Sequence, residues 1–322
     1  MLAAYAARTD PTDPLAGLRV ENVDPPQVPE DWPAVAVKAA ALNHHDIWSL
    51  RGVGLPEDRL PMILGCDAAG VSEDGREVIV HSVIASPGWS GDETFDPQRS
   101  LLSEKYPGTF AETVRVPAGN LIDKPAGISF AEAACLPTAW LTAYRMLFSR
   151  SGCPPGSTVL VQGAGGGVAT ALVALGAAAG YRMWVTSRHE DKRQHALELG
   201  ADQTFESGAR LPERVDAVMD SVGEATWAHS VKSVRPGGTI VTCGATSGPG
   251  PSADLTRVFF LQLNVRGSTM GDRQELQRLV QLCLRTGVRP RIDSSMPLGQ
   301  ARDGFQRMLS GQHTGKIVFT LD

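Results

Sequence analysis

Apolar and polar positions change texture near residue 123. Ahead of it, short β-branched runs at 18–20, 35–38, 77–80 and 111–116 read as strands, with Pro25, Pro26, Pro29 and Pro33 marking turns between the first two. Residues 86–106 are polar and irregular, which predicts a surface excursion. Beyond 123, wholly apolar runs suited to strands buried on both faces alternate with helical periodicity. Strands are expected at 158–162, 181–186, 215–219, 239–243 and 263–267, and helices at 130–136, 140–150, 169–179, 192–199, 225–234 and 274–285. One more strand is expected at 316–319. The pattern predicts an α/β chain: a doubly wound parallel sheet inserted into, or following, a separate β domain.

The stretch 156–187 organises the rest. It reads strand, glycine turn, helix, strand, the βαβ arrangement that sets a pyrophosphate at a helix N-terminus. Two frames of the turn compete. Gly163-x-Gly165-x-x-Val168 puts a bulky residue where helix and strand pack closely. Ala164-x-Gly166-x-x-Ala169 keeps all three critical positions small and is the preferred frame.

The end of the second strand decides which dinucleotide. NAD sites place a carboxylate about 20 residues beyond the glycines to meet the ribose 2′-OH. Here the residues are Thr186-Ser187-Arg188-His189, with Lys192 and Arg193 one turn on. Arg188 offers a planar fork matched to a 2′-phosphate, which favours NADP(H). The other reading is a solvated helix start, which Glu190 and Asp191 also fit.

Composition narrows the classes. A net charge of −5 argues against nucleic acid or an anionic membrane as the main partner. No run approaches the roughly 20 uncharged residues of a membrane span, and residues 1–10 lack a signal-peptide core, so a cytoplasmic protein is expected. Cys66, Cys135, Cys153, Cys243 and Cys283 never fall in CxxC spacing and read as reduced thiols.

Several segments, in order along the chain, resemble the medium-chain dehydrogenase/reductase superfamily, in particular its zinc-free quinone oxidoreductase branch. They are Ala40-Ala41-Leu42-Asn43-His44-His45-Asp46, Leu64-Gly65-Cys66-Asp67-Ala68-Ala69-Gly70 and the run from Leu136 through Pro137, Thr138 and Thr142 to Tyr144. The resemblance continues through Gly163 to Ala169, Leu199-Gly200-Ala201-Asp202, Asp220-Ser221-Val222-Gly223, Pro236-Gly237-Gly238 and Gly315-Lys316-Ile317-Val318. It implies a GroES-like β-barrel catalytic domain over 1–121, with 271–322 returning to it, and a Rossmann NADP-binding domain over 122–270.

In zinc-dependent relatives three ligands hold a catalytic metal, and the matching positions here are Asn43, Cys66 and Thr138. One thiolate with an amide and a hydroxyl is a poor zinc set, so no metal is expected, although Cys66 with His44, His45 or Asp67 could recruit one. The resemblance places the turn from Asn43 to Asp46 beside the nicotinamide. Asn43 is then a candidate to polarise the substrate carbonyl and His45 to deliver a proton, while Asp46 reads as a brace. A histidine that caps a loop carbonyl is the alternative for His45. The resemblance assigns phosphate contacts to Ala164, Gly166, Gly167, Val168 and Lys316, and adenosine contacts to Ser187, Arg188, Lys192 and Ser221. It assigns the nicotinamide side to His44, Thr142, Gly244, Ala245 and Ser268. Lys316 has a second reading, a solvated edge-strand lysine.

The function implied is an NADPH-dependent, zinc-independent reductase of a quinone or an α,β-unsaturated carbonyl. The rivals are a zinc-dependent alcohol dehydrogenase and a non-catalytic NADPH-binding sensor or structural protein. A homodimer is expected through the strand at 263–267, which follows the apolar run Val258-Phe259-Phe260-Leu261.

Overall fold

A computed structural model describes residues 1–321. It separates into two compact units. The first holds residues 1–139, 270–284 and the chain from 292 onward; the second holds 140–269 and 285–291.

The first unit opens with β1 (Leu2–Ala6), β2 (Leu18–Asn22), β3 (Ala34–Ala41) and helix α1 (His44–Leu50). Short strands follow: β4 (Met62–Ile63), β5 (Asp67–Ser72), β6 (Glu77–Val80), β7 (Val83–Ile84), β8 (Ser100–Leu101), β9 (Thr113–Arg115) and β10 (Leu121–Asp123). Helix α2 (Phe130–Ala134) is next, and its start is fixed by Ser129, whose Oγ accepts from Glu132 N while Glu132 reaches back to Ser129 N.

The second unit runs through α3 (Leu141–Tyr144), β11 (Thr158–Gln162), α4 (Gly167–Ala178), β12 (Arg182–Thr186), α5 (Glu190–Glu198) and β13 (Gln203–Phe205). It continues with β14 (Val215–Asp220), α6 (Glu224–Ser233), β15 (Val234–Thr242), α7 (Leu255–Phe260) and β16 (Asn264–Gly267). After α8 (Arg273–Thr286) the chain supplies the first unit with β17 (Ile292–Pro297), α9 (Ala301–Leu309) and β18 (Lys316–Thr320).

In the second unit six parallel strands lie in the order β13-β12-β11-β14-β15-β16. That is the dinucleotide-binding order, and it reverses between β11 and β14, where ligands sit at the carboxyl ends of the strands. Every residue of β11 is buried, the apolar centre of Val159, Leu160 and Val161 as a strand covered on both faces requires. The core beneath is built from Leu160, Trp184, Val218, Val231 and Ile240.

In the first unit a seven-stranded sheet runs β10-β6-β5-β3-β18-β17, with β9 also on β3. β18 is thus an interior strand, paired to Ala39–Ala41 of β3 on one side and to β17 on the other. Phe110, Phe305 and Phe319 fill the core, Phe110 meeting Phe319 edge-on at 5.1 Å.

Four differences separate the structure from the sequence expectations. α5 begins at Glu190, two residues early, because Glu190 and Asp191 suit the positive end of a helix. The helix expected at 140–150 is broken into α-helical and π-helical turns. β1, α1, β5 and α9 escaped the periodicity count. Finally, 86–106 is not wholly a surface excursion: Leu102 and Ser103 are fully buried.

Candidate active site

At the glycine turn of the second unit the left-handed residue is Gly163, φ +86°. The preferred frame, Ala164-x-Gly166-x-x-Ala169, begins one residue after this position, which needs glycine's backbone freedom. Ala164 and Ala169 are buried, and Gly166 caps α4 with nothing within 4 Å of where a side chain would begin. Gly167 and Val168 form the first turn of α4. A Cβ at Gly165 would lie 2.7 Å from the Lys192 ammonium, so this lysine reaches from α5 over the turn. A cradle open at a helix N-terminus, with a cation above it, fits a dinucleotide pyrophosphate.

The loop after β12 is braced from within. Arg193 Nη1 donates to Ser187 O at 2.7 Å, and its guanidinium pairs with Glu190 and Glu206. Ser187 Oγ accepts from His189 N at 3.2 Å. Arg188 is exposed and has no hydrogen bond or ion pair among the described residues. Of the two arginine-type cations here, one holds the loop and the other is available to a ligand.

Sequence reasoning did not identify what holds Ser221, Gly244 and Ala245. Asp220 Oδ1 accepts from Val222 N and Gly223 N at 2.9 and 3.0 Å, and Thr226 and Ser230 donate to the same carboxylate. Gly223 has φ +89°, and a Cβ there would meet Gly248 O at 2.7 Å and Ala245 Cα at 2.9 Å. The Asp220-Ser221-Val222-Gly223 motif is therefore a backbone-packing device. Thr142 is buried, and Ser268 Oγ is buried with no hydrogen-bond partner among the described residues.

In the first unit Asn43 precedes α1 and is closed in by protein. Its Nδ2 donates to Asp67 Oδ2 at 2.8 Å and Ala41 O at 3.2 Å, and its Oδ1 accepts from Lys316 Nζ at 2.5 Å. Lys316 Nζ also donates to Leu42 O at 2.8 Å and Asp67 Oδ2 at 3.2 Å. Its three donors thus have three protein acceptors, and the side chain is 2% exposed. Neither expectation for Lys316, a phosphate contact or a solvated edge lysine, describes this arrangement, because β18 is interior and points the ammonium inward.

Asp46 acts as the brace: it accepts from Asn43 N at 2.8 Å and Gly65 N at 3.0 Å. Burial pushes its carboxyl up to about 7 against those two hydrogen bonds. His44 is exposed. His45 Nε2 lies 3.3 Å from Ser103 Oγ and 3.9 Å from Glu104 Oε1. Burial holds the His45 imidazole down to about 4, so at pH 7 the ring is neutral and stores no proton to give. Burial likewise raises the Glu104 carboxyl. Ser103, with φ +69°, was missed because nothing local marks it.

The donor set at the metal-ligand positions does not fit zinc. Asn43 has both amide atoms engaged. Cys66 Sγ donates to Leu102 O at 3.2 Å, and burial, then the carboxylates of Asp46 and Asp67, push its thiol well above its ordinary range. Thr138 supplies a hydroxyl. Zinc asks for deprotonated sulfur, imidazole or carboxylate ligands.

Residues 29–126 match the alcohol dehydrogenase GroES-like domain, and residues 167–285 match the zinc-binding dehydrogenase family. A 2-methylene-furan-3-one reductase of Solanum lycopersicum is 32% identical over 309 residues, 92% of this chain and 74% of its own. A crotonyl-CoA carboxylase/reductase of Cereibacter sphaeroides is 27% identical, over 94% of this chain and 83% of its own. The crystal structure of an NAD-dependent alcohol dehydrogenase superposes with TM-score 0.90 at 31% identity, over the whole of both chains. With two domain matches in the expected order and relatives that span nearly its full length, the chain belongs to the medium-chain dehydrogenase/reductase superfamily and is an oxidoreductase of that type.

Proposed function

We propose that this protein is an NADPH-dependent, zinc-independent reductase of a carbon–carbon double bond conjugated to a carbonyl, or of a quinone. The observation that carries the reading is the Lys316 ammonium bonded to Asn43 and Asp67 among the metal-ligand positions. A conjugated acceptor needs less polarisation than an isolated carbonyl, because charge arriving at its far carbon delocalises onto oxygen. The crotonyl-CoA and methylene-furanone enzymes, both named for such conjugated bonds, support this class over simple alcohols.

When bound, the nicotinamide dinucleotide supplies the hydride. Gly166, Gly167 and Val168 at the start of α4, with Lys192 above Gly165, are assigned to the pyrophosphate; Arg188, with Ser187 before it, takes the 2′-phosphate, and Ser221 the adenosine. Ser268 has a buried hydroxyl, unpartnered among the described residues, to offer the carboxamide, with Thr142, Gly244 and Ala245 assigned to that side. The proton that follows the hydride comes from water, since neutral His45, held beside Ser103, has none to release at pH 7. A panel of enoyl thioesters, enones, quinones and aldehydes, run with NADPH in a strong chelator, tests the reading. Turnover confined to simple alcohols or aldehydes and abolished by chelator would instead establish the zinc alcohol dehydrogenase; the 31% identical structure is named as an alcohol dehydrogenase.

A homodimer through β16 belongs to the same proposal. β16 is an edge strand, and Phe259 and Phe260 beside it are 68% and 76% exposed. Such an edge aggregates unless covered, and a two-fold pairing covers it. Val265→Asp should yield a monomer or insoluble protein; wild-type protein sedimenting as a monomer at micromolar concentration refutes the dimer.

A further inference from the structure

Asp67 is 0% exposed and would be an isolated carboxylate but for what reaches its Oδ2. Asn43 Nδ2 and Lys316 Nζ both do, while Oδ1 has no partner among the described residues. The ammonium also bonds Asn43 Oδ1, so one cation joins two side chains, one of which stands at a metal-ligand position. β18, held between β3 and β17, fixes the backbone from which the ammonium reaches these groups.

We infer that Lys316 is a tethered cation that takes the electrostatic place of a metal and bars a divalent ion from the Asn43, Cys66 and Thr138 positions. This deepens the zinc-independent reading and rests on it. Any metal bound to a ligand atom at position 43 would stand within about 5 Å of the ammonium, given a metal–ligand bond of about 2 Å and the 2.5 Å from Lys316 Nζ to Asn43 Oδ1. In a site this dry the repulsion is weakly screened. Asp67 is the carboxylate that a metal would otherwise attract, and the lysine already neutralises it. Cys66 Sγ is turned to Leu102 O, to which it donates at 3.2 Å.

The test adds ligands with and without the lysine. Asn43→Cys with Thr138→Cys gives, together with Cys66, three sulfurs. Adding Lys316→Met with Asp67→Leu removes the ion pair whole, so no buried charge is left unpaired. Lys316→Gln with Asp67→Asn is a second way to remove it should the first fail to fold. Cobalt(II) titration, read by thiolate-to-cobalt charge-transfer absorption, reports uptake without any assay of turnover. The expected result is about one cobalt per chain in a pair-less variant, bound roughly 100-fold more tightly than where Lys316 remains. Equal uptake with and without Lys316, or none in either folded pair-less protein, overturns the inference. Elemental analysis of the wild type separates the two readings. Stoichiometric zinc there refutes the zinc-independent function itself, whereas a metal-free wild type with equal cobalt uptake refutes the tethered cation alone.

Discussion

At the glycine turn Gly166 faces open space and Arg188 is exposed without a partner among the described residues; at Asn43 every donor of Lys316 already has a protein acceptor. Both constellations are polar, and both lie at positions that relatives use. They differ in where their hydrogen bonds end. The turn leaves its groups to a ligand, so its energy is realised on binding. The Asn43 cluster is satisfied internally, so its energy belongs to the fold. Mutations should therefore register as lost stability in one region and as lost affinity in the other.

The sharpest way to break this contrast is Lys316→Met. Removing one partner strands Asp67, and the cost should be about 3–5 kcal/mol in urea unfolding, with most of it restored by adding Asp67→Leu. A loss below about 1 kcal/mol would show that the cluster is not stability-bearing.

The closed unit should also be the acid-sensitive one. His81 is 1% exposed with neither ring nitrogen partnered among the described residues, and burial, aided by the Arg273 charge, holds it down to about 4. The unfolded chain takes up this proton near 6.5. Between those values the unfolded state binds more protons, so stability is full above about 6.5 and falls as pH drops toward 4, by about 3 kcal/mol. His81→Phe should flatten that limb of a pH series of denaturation curves, and an unchanged limb would contradict it.

On the open side, Arg188→Ala should leave unfolding unchanged while weakening NADPH by about 1.5–3 kcal/mol, roughly 10- to 150-fold, and sparing NADH. Titration showing equal wild-type affinity for both cofactors contradicts the assignment. Ala169→Leu should cost about 1–3 kcal/mol from overpacking α4 against its sheet, accompanied by lost cofactor binding in a protein that still folds. Unchanged NADPH affinity would remove Ala169 from the phosphate cradle.

The open region was the more legible in sequence. Buried parallel strands are long apolar runs, and Gly, Arg and Lys around a turn announce themselves within 30 or so residues. Even there the left-handed residue, Gly163, lies one position ahead of the preferred Ala164-Gly166-Ala169 frame, because a positive φ leaves no mark on the sizes of the residues around it. The closed region depends on distant pairings. Nothing near Lys316 in Gly315-Lys316-Ile317-Val318 reveals that the strand is interior, or that its ammonium meets Asp67. Ser103 was lost in a stretch whose polar texture reads as surface although its centre is buried.

The separation of 249 positions between Asp67 and Lys316 has a consequence for synthesis. At about 5–20 residues per second, the carboxylate leaves the ribosome roughly 12–50 s before its ammonium is made. During that interval β3 and β5 can pair, but β18 cannot yet be laid between β3 and β17. The second unit is under no such delay: β11 through β16 are contiguous in the chain. A nascent chain arrested just before β18 should therefore resist protease across the six parallel strands while remaining open to cleavage around β3 and β5.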